Sequence, residues 1–410
     1  MKQIVEFLEK TEQREFRIFL KLFQNLPRSK FAVVKISGAT LEKHMDLIAE
    51  DIAYLNGLGI YPIIVHGAGS ALDSRLTSKK VDGLRITTAA DMKIVEEVFD
   101  SLSQQLVEKI ESKGGAAKNV AGVFRCTKKP GLGCVGEVRG IDTLPIAQAL
   151  DAGCTPILNP LGLDGKTKLN VNADTAAREL VKAISPMKFI LLTETGGILD
   201  EKGRVIPFVN ISDNGCQLSG GMLLKVREIT EFLREKPGCA VVITSAMDLL
   251  KEMFTIKGRG TYIKFHKIEA TGDIETLDKA RLRKLLEDAF DKVLAEDYFS
   301  SEFREVFYQQ DYEAVAIIKD VNGVPYLDKF ATAKFCQGTG LGKSLWAQLA
   351  KKYPALVWRA DPDNPANSFY CNVCDGMVKK QEWHIFWKGI DTECISPIIG
   401  DVNRLERTML

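Results

Sequence analysis

Short apolar runs alternate with helical patterns through the first 264 residues, and this alternation restricts the fold more than any other feature. The runs are FAVVKI at 31–36, IYPIIV at 60–65, PILNP at 156–160, FILLT at 189–193 and AVVIT at 240–244. Strands that are apolar throughout are buried on both faces, as in a mostly parallel sheet covered by helices. We therefore predict an α/β domain with a parallel-rich sandwich over residues 26–265.

The pattern changes after this region, and a second domain is predicted over residues 276–410. The runs EAVAIIKD and VPYLDKFA flank the turn VNG, which is typical of an antiparallel hairpin. Helical patterns at 343–353 and near 365–375 then alternate with the runs ALVWRA and WHIFWKG. This order predicts a smaller α+β domain.

Composition excludes several functional classes. The 410 residues carry a net charge of +1, which gives no electrostatic indication of nucleic-acid or membrane binding. No apolar run reaches the roughly 18–20 residues that span a bilayer. Residues 1–25 lack an apolar signal core and have an amphipathic helical pattern, which would pack on a partner subunit or on its own domain.

The nine cysteines are scattered, which favours a reducing compartment, and we expect a cytoplasmic protein. Cys371 and Cys374 form one C-x-x-C, without the second pair or nearby histidines of a zinc site. We interpret them as two core thiols on a helix and expect no metal site of the protein's own.

The stretch KFCQGTGLGKSLW, which begins at Lys334, has glycines directly before a helical pattern. Gln337, Gly340 and Gly342 have the spacing Q-x-x-G-x-G. A helix N-terminus exposes unpaired N–H groups, and glycines let the backbone close around an anion. The turn would suit a pyrophosphate, with Lys343 as an added cation; an ordinary glycine-rich turn is the alternative.

A second turn of this kind, IVHGAGS, lies far upstream at 64–70. Gly67, Ala68 and Gly69 follow a predicted strand and precede a helical pattern. The same physical argument predicts a second anion site, because phosphoryl transfer needs neutralisation of the moving group more than covalent help.

Both halves of the chain resemble known domains. YLDKFA, QGTGLG, VWRADPDNPANSFY and CDG resemble, in order and spacing, the GNAT-type acetyltransferase domain of vertebrate-like N-acetylglutamate synthases. The upstream segments resemble the amino-acid kinase domain of acetylglutamate kinases. From about residue 25 to 390 the chain resembles the bifunctional N-acetylglutamate synthase/kinase family. The resemblance implies a kinase-type sandwich followed by a GNAT-type domain, in a homotetramer.

For the second domain the resemblance implies acetyl-CoA and L-glutamate as substrates. The backbone from Gly338 to Gly342 would bind the coenzyme pyrophosphate. Lys329, Arg359 and Asn364 fall on the glutamate-binding positions, and a guanidinium grips a carboxylate bidentately. Taken singly, Lys329 could be a solvated strand residue and Arg359 a surface ion pair.

Two further positions bear on acetyl transfer. Tyr370 is the candidate acid for the departing thiolate, since a phenol can donate a proton there, or it is a core aromatic. Asp361 stands two residues after Arg359, where the family often has a second arginine.

For the first domain the resemblance implies phosphorylation of N-acetyl-L-glutamate by ATP with Mg²⁺. Lys35 and Lys225 would flank the phosphates, and Asp174 would hold both lysines. Arg85 and Asn170 would bind the acylated amino acid, Arg85 through a carboxylate. Taken singly, Lys35 could cap a strand edge, Asp174 could be a helix N-cap or first-turn acid, and Lys225 could lie on a surface helix.

Three positions of the first domain differ from the kinase pattern. Ser37 replaces the first glycine of a pair, where a Cβ could crowd the phosphates. Ala68 replaces the middle glycine of a common triplet, and Glu194 replaces an aspartate.

The stretch SAMDLLKEMFTIKGRGTYI at 245–263 resembles the signature of arginine-sensitive acetylglutamate kinases. Glu252 and Gly258 match the positions that contact the effector, and a carboxylate is a reasonable partner for a guanidinium. The hypothesis is that L-arginine lowers activity; the alternative is a helix followed by a glycine-rich turn.

The sequence leaves three hypotheses for the function of the chain. The first is a bifunctional enzyme of arginine biosynthesis that acetylates glutamate and phosphorylates the product. The second is a synthase whose inactive kinase-like domain is a scaffold and arginine sensor, which Ser37 motivates. The third is a non-catalytic protein that binds arginine or acetyl-CoA.

Overall fold

The computed structural model describes residues 26–81, 84–211, 239–254, 258–265, 267–336 and 341–410, with positions 20, 23, 229, 232–233 and 235. The chain divides into two compact units, the first ending at Phe265 and the second covering the described residues after it. Within these ranges, no helix is long and apolar enough to cross a bilayer.

The described part of the first unit is built on an eight-stranded sheet. In spatial order its strands are Phe208–Ile211 (β12), Thr261–Phe265 (β14), Ala240–Thr244 (β13), Lys188–Leu192 (β11), Ala32–Ile36 (β1), Ile63–His66 (β2), Thr155–Leu158 (β8) and Ala117–Asn119 (β5). β1 runs parallel to both β2 and β11, and only β13 and β14 pair antiparallel. The predicted parallel-rich α/β architecture is confirmed.

Helices cover this sheet on both faces. They are Gly38–Gly57 (α1), Gly69–Arg75 (α2), Ala89–Ser112 (α3), Leu144–Asp151 (α4), Ala173–Ile184 (α5) and Leu249–Phe254 (α6). Alternate residues of β1 belong to two different apolar clusters, Val34 and Ile36 to one and Val33 to the other. Because side chains alternate across a strand, both faces of β1 are buried, which explains its continuous apolar run.

A smaller four-stranded sheet of the first unit was not expected from the sequence. Its strands are Thr167–Asn170 (β10), Leu161–Asp164 (β9), Phe124–Lys128 (β6) and Gly136–Ile141 (β7). A two-stranded hairpin, Lys80–Val81 (β3) and Leu84–Arg85 (β4), lies separately. β6 largely alternates buried and exposed residues, so its sequence contains no long apolar run that would predict a strand.

The second unit contains a seven-stranded sheet. In spatial order its strands are Ile268–Thr271 (β15), Glu305–Gln309 (β16), Ala314–Val321 (β17), Val324–Thr332 (β18), Leu356–Ala360 (β19), His384–Lys388 (β21) and Gly376–Lys379 (β20). Its helices are Lys279–Phe290 (α7), Leu341–Lys352 (α8), Asn367–Val373 (α9) and Thr392–Arg404 (α10). The predicted α+β architecture is confirmed. β15 precedes residue 276, where the second domain was expected to begin, and pairs with β16.

The VNG turn joins β17 and β18 as predicted. Asn322 and Gly323 have φ angles of 52° and 85°, and Val321 pairs with Val324. Two successive positive φ angles define a type I′ turn, whose twist matches that of the flanking strands.

Candidate functional site

A cleft of the first unit lies where β1 and β2 end and helices begin. It has a volume of about 250 Å³. Its lining includes the predicted phosphate- and substrate-binding residues of this unit that the structure describes: Lys35, Gly67, Ala68, Gly69, Arg85, Asn170 and Asp174. Lys225 lies outside the described residues.

Lys35 and Asp174 form an ion pair in this cleft, with 2.7 Å between Nζ and Oδ1. Lys35 is buried near the end of β1, whereas Asp174 stands exposed in the first turn of α5. The capping role that was considered for Asp174 belongs instead to Asn172, whose Oδ1 accepts from the N–H groups of Asp174 and Thr175. The Asp174 carboxylate is therefore free to orient Lys35.

Two glycine turns meet at the cleft. A Cβ at Gly38 would lie 2.5 Å from the Gly69 nitrogen, so only a glycine allows this approach. The N-termini of α1 and α5 lie here with that of the short α2, and the positive ends of their helix dipoles favour an anion. Sequence reasoning missed Gly38, although its position directly after Ser37 at the end of a strand was the available signal.

Ser37 serves as the N-cap of α1. Its hydroxyl oxygen accepts from the Thr40 N–H over 3.2 Å and lies 2.7 Å from the Thr40 hydroxyl. Its φ of −68° requires no glycine. The side chain thus hydrogen-bonds to its own helix. Glu194, the other polar departure from the kinase pattern, pairs with Lys43 over 2.8 Å.

Arg85 and Asn170 are both held by protein groups. The Arg85 guanidinium pairs with Asp73 and donates to the carbonyl oxygens of Leu76 and Ser78 over 3.1 and 3.2 Å. Asn170 Nδ2 donates to the Thr87 hydroxyl over 3.1 Å. A carboxylate ligand would compete with Asp73 for the guanidinium.

The proposed effector residues are in direct contact. Glu252 on α6 is buried, and its Oε1 accepts from the N–H groups of Arg259 and Gly260 over 2.6 and 2.7 Å. A Cβ at Gly258 would lie 1.9 Å from this carboxylate. Burial raises the pKa of Glu252, and this effect outweighs the N–H groups of Gly260 and Arg259 and the charge of Lys188, which lower the pKa.

In the second unit β18 and β19 separate after a short parallel contact. They pair only at Tyr326–Val357 and Leu327–Trp358. β18 continues to Thr332, and among the described residues its strand pairing beyond Leu327 is with β17 alone, so alternate N–H groups there point to the side where β19 has separated. Extended main chain with unpaired donors can bind an amide-containing ligand in the manner of an added strand.

Helix α8 begins near this slot. Gly342 and the exposed Lys343 lie in its first turn, and a Cβ at Gly342 would lie 3.5 Å from the β18 residue Thr332. Gln337, Gly338 and Gly340 lie outside the described residues.

Lys329 lies on β18 within a buried charged cluster. Its Nζ is 3.0 Å from Asp328 Oδ2 and 5.0 Å from the Tyr298 ring centroid. Burial lowers the pKa of Lys329, opposed by Asp328. Burial alone would raise the pKa of Asp328, but Lys329 and Lys319 outweigh it and the pKa is lowered. The suggestion that Lys329 is a solvated strand residue was wrong.

Arg359 binds main-chain carbonyls rather than a surface carboxylate. Its Nη1 donates to Val402 and Leu405 over 3.0 and 2.8 Å, and its Nη2 donates to Glu406 over 2.8 Å. Its guanidinium carbon lies 4.1 Å from the Trp383 ring centroid. Arg359 therefore anchors the 405–410 segment.

Asn364 and Tyr370 lie after β19. The Asn364 Oδ1 accepts from the Ala366 N–H over 2.8 Å, within the turn before α9. Tyr370 is buried among Phe330, Trp358 and other aromatic rings, and this burial raises its pKa. The phenol therefore stays protonated near neutral pH.

The interpretation of Cys371 as a core thiol was wrong, because this residue is exposed on α9 and Cys374 is half-buried. Among the described residues no group of three or more His, Cys, Asp or Glu side chains could hold a metal ion. Sequence reasoning missed three residues of the two sites, Asp73, Trp383 and Arg407. They belong to no recognisable motif, and only the fold brings them into contact with Arg85, Arg359 and Asp361.

The first unit provides a helix-terminated cleft with a paired lysine and a paired arginine, and the second a sheet whose strands β18 and β19 separate, with one buried lysine and a half-buried arginine. These features define a two-unit transferase. The amino acid kinase family model matches residues 30–245, and the model of the N-acetyltransferase domain of N-acetylglutamate synthase matches residues 268–405. The chain therefore belongs to the amino acid kinase family, joined to an N-acetyltransferase domain as in bifunctional N-acetylglutamate synthase/kinase proteins.

The chain is similar to the acetylglutamate kinase of Xylella fastidiosa strain 9a5c, with 37% identity over 396 residues, 92% of this chain and 94% of the relative. It is 29% identical to the human mitochondrial N-acetylglutamate synthase over 399 residues, 92% of this chain and 72% of the relative. N-acetylglutamate synthase from Neisseria gonorrhoeae, solved with coenzyme A and L-arginine, shares the fold. Its TM-score is 0.65 at 19% identity, covering 92% of this chain and 97% of that one. Both matched domains are enzyme domains, so the chain is an enzyme.

Proposed function

We propose that the chain acetylates L-glutamate with acetyl-CoA, phosphorylates N-acetyl-L-glutamate with ATP, and is inhibited by L-arginine. The observation that carries the proposal is the cleft of the first unit, where residues from β1, α2, β4, β10 and α5 converge. The relatives named for each activity support it, because each aligns over nearly the whole chain.

In the first unit the residues would stabilise charge. Lys35 would neutralise the moving phosphoryl group while Asp174 orients its ammonium group, at 2.7 Å. The N–H groups near Gly38 and Gly69 would bind phosphate oxygens. Arg85 would leave Asp73 to bind a carboxylate of the acylated amino acid, aligning the other carboxylate for attack on the γ-phosphorus.

In the second unit the residues would position an amine next to a thioester. N–H groups of β18 around Phe330 and Ala331 would donate to the carbonyl oxygen as negative charge develops. Lys329, Arg359 and Asn364 would face the amino acid. Because burial raises the pKa of Tyr370, its phenol would be a hydrogen-bond donor to the departing thiolate more than a strong acid.

The cosubstrates fit the donors present. ATP supplies the phosphoryl group and acetyl-CoA the acetyl group. Mg²⁺ would be carried mainly by nucleotide phosphates, since the described residues offer no three-ligand cluster. Gln337, Gly338 and Gly340 would complete the pyrophosphate turn before α8, and Lys225 would be the second phosphate-binding lysine.

Two assays test the proposal on the same protein. Thiol release is followed with glutamate and acetyl-CoA, and ADP formation with N-acetylglutamate and ATP. Lys35→Ala should lower ADP formation by about 10²–10³-fold, the usual effect of removing one charge-stabilising group. Thiol release should persist. Lys118→Ala, an exposed lysine on β5, is the matched control. Equal loss of both activities in Lys35→Ala would contradict the two-site assignment.

The second candidate is a synthase whose first unit is an inactive scaffold and arginine sensor. The observation that favours it is a serine at position 37, where the kinase pattern has glycine. Ser37→Gly would then be expected to create ADP formation absent from the wild type. ADP formation by the wild type would exclude this candidate, and absence of both activities would leave a non-catalytic role.

The remaining features of the proposal concern assembly and location. The tetramer implied by the resemblance would be tested by light scattering. The cytoplasm is the expected compartment because the eight described cysteines are free, although the human relative is mitochondrial.

A further inference from the structure

Asp361 lies where the family often has a second arginine, and two cations contact its carboxylate. Lys292 Nζ lies 3.0 Å from Oδ2, and Arg407 Nη1 lies 3.3 Å from Oδ1. One carboxylate with two cations has a net single positive charge. That is the charge that an arginine at position 361 would supply, so residues distant in sequence compensate for Asp361.

Arg407 also shares an aromatic ring with Arg359. The two guanidinium carbons lie 4.3 and 4.1 Å from the centroid of the Trp383 ring. Each is therefore stabilised by the ring's electron-rich face. The N–H fork of Arg359 is bound to main-chain carbonyls, whereas that of Arg407 contacts the Asp361 carboxylate. Trp383 thus contacts both guanidinium groups.

The 405–410 segment that carries Arg407 is fixed to the second unit. Val293 and Leu410 exchange main-chain hydrogen bonds of 3.1 and 2.8 Å. Lys329 Nζ donates to the Thr408 hydroxyl over 2.7 Å. Arg407 therefore lies in the chain between Glu406, which Arg359 contacts, and Thr408, which Lys329 contacts. Arg359 and Lys329 are the two cations that the family resemblance assigns to glutamate.

We propose that Arg407 binds one carboxylate of the acceptor amino acid, while Arg359 and Lys329 bind the other. The inference rests on the proposed acetylation of glutamate. A dicarboxylate is best held by two separate cationic groups. Arg407 is 44% exposed and Lys329 only 6%, so Arg407 is the more accessible cation. Its exposed pair with Asp361 is weak and can be exchanged for a ligand carboxylate.

Steady-state kinetics of the full chain test this role. Arg407→Ala should raise KM for glutamate at least tenfold and leave KM for acetyl-CoA within twofold. Arg404→Ala is the matched control, since Arg404 ends α10, is 75% exposed and pairs with Asp401. An unchanged KM for acetyl-CoA reports that the second unit of each variant is folded.

A rescue variant separates binding from a structural role. Asp361→Arg in the Arg407→Ala background restores the family pattern and should recover most of the lost glutamate affinity. An unchanged KM for glutamate in Arg407→Ala would overturn the proposal. So would a raised KM that Asp361→Arg does not lower, because that result assigns Arg407 only to holding the segment. A wild type without thiol release would instead overturn the proposed acetylation itself.

Discussion

The substitution Gly38→Ala tests whether the two glycine turns of the first cleft must touch. The new Cβ would lie 2.5 Å from the Gly69 nitrogen and 2.9 Å from the Ala68 carbonyl carbon. Ordinary contacts begin at 3.4 Å, so the turns must separate by roughly 1 Å. Both neighbours are main-chain atoms, so no flexible side chain can absorb the clash.

Two effects should follow from this separation. Inserting a methyl group into a packed site costs about 1–3 kcal/mol of stability. A displacement of about 1 Å in groups that position a substrate lowers a rate by about 100-fold. We expect ADP formation with N-acetylglutamate and ATP to fall by about that factor, and thiol release in the second unit to stay unchanged.

Gly57→Ala is the internal control, at the opposite end of α1. A Cβ there meets no atom within 4 Å, and alanine favours a helix over glycine by up to about 1 kcal/mol. This variant should keep full ADP formation and unfold at the same or a higher temperature. Wild-type ADP formation by a folded Gly38→Ala variant would refute the reasoning that the two turns together position the phosphates.

Three further predictions concern pH, capping and the effector. Burial lowers the pKa of His66 from 6.5 to about 4, so the unfolded chain binds a proton between these values and the native chain does not. The free energy of unfolding, measured by urea titration, should fall by up to about 3 kcal/mol as pH drops through this window. The fall should be smaller in the variant His66→Gln. Ser37→Ala removes the N-cap of α1 and should cost about 1 kcal/mol in thermal unfolding; an unchanged melting temperature would contradict the cap. Calorimetry should show that L-arginine binds to the chain, and the substitution Glu252→Gln should weaken that binding. The absence of binding at millimolar arginine would contradict the effector hypothesis.

Much of the fold could be read from local patterns. A strand buried on both faces is apolar at most consecutive positions, as β13 is and as β1 is apart from Lys35, so these strands can be recognised as apolar runs. The VNG turn specifies its hairpin because Asn and Gly adopt positive φ at low cost. The resemblance then predicted which residues share the first cleft, and the described ones do line it.

Other features depend on contacts between residues far apart in the chain. The four-stranded sheet of the first unit carries half-exposed strands such as β6, whose residues indicate a strand only beside their partners. The need for glycine at position 38 arises from the main chain of Gly69, thirty-one residues later. No local sequence pattern predicts this close approach of two main-chain segments.

The sequence by itself determined two α/β-class units, their motifs and the family. Only the tertiary structure showed that Asn172 caps α5, which leaves the Asp174 carboxylate to Lys35. Only the tertiary structure brought Arg407 to Asp361, forty-six residues away. The physical reason is that charge compensation acts through space over a few ångströms, whereas a sequence pattern records only neighbours along the chain.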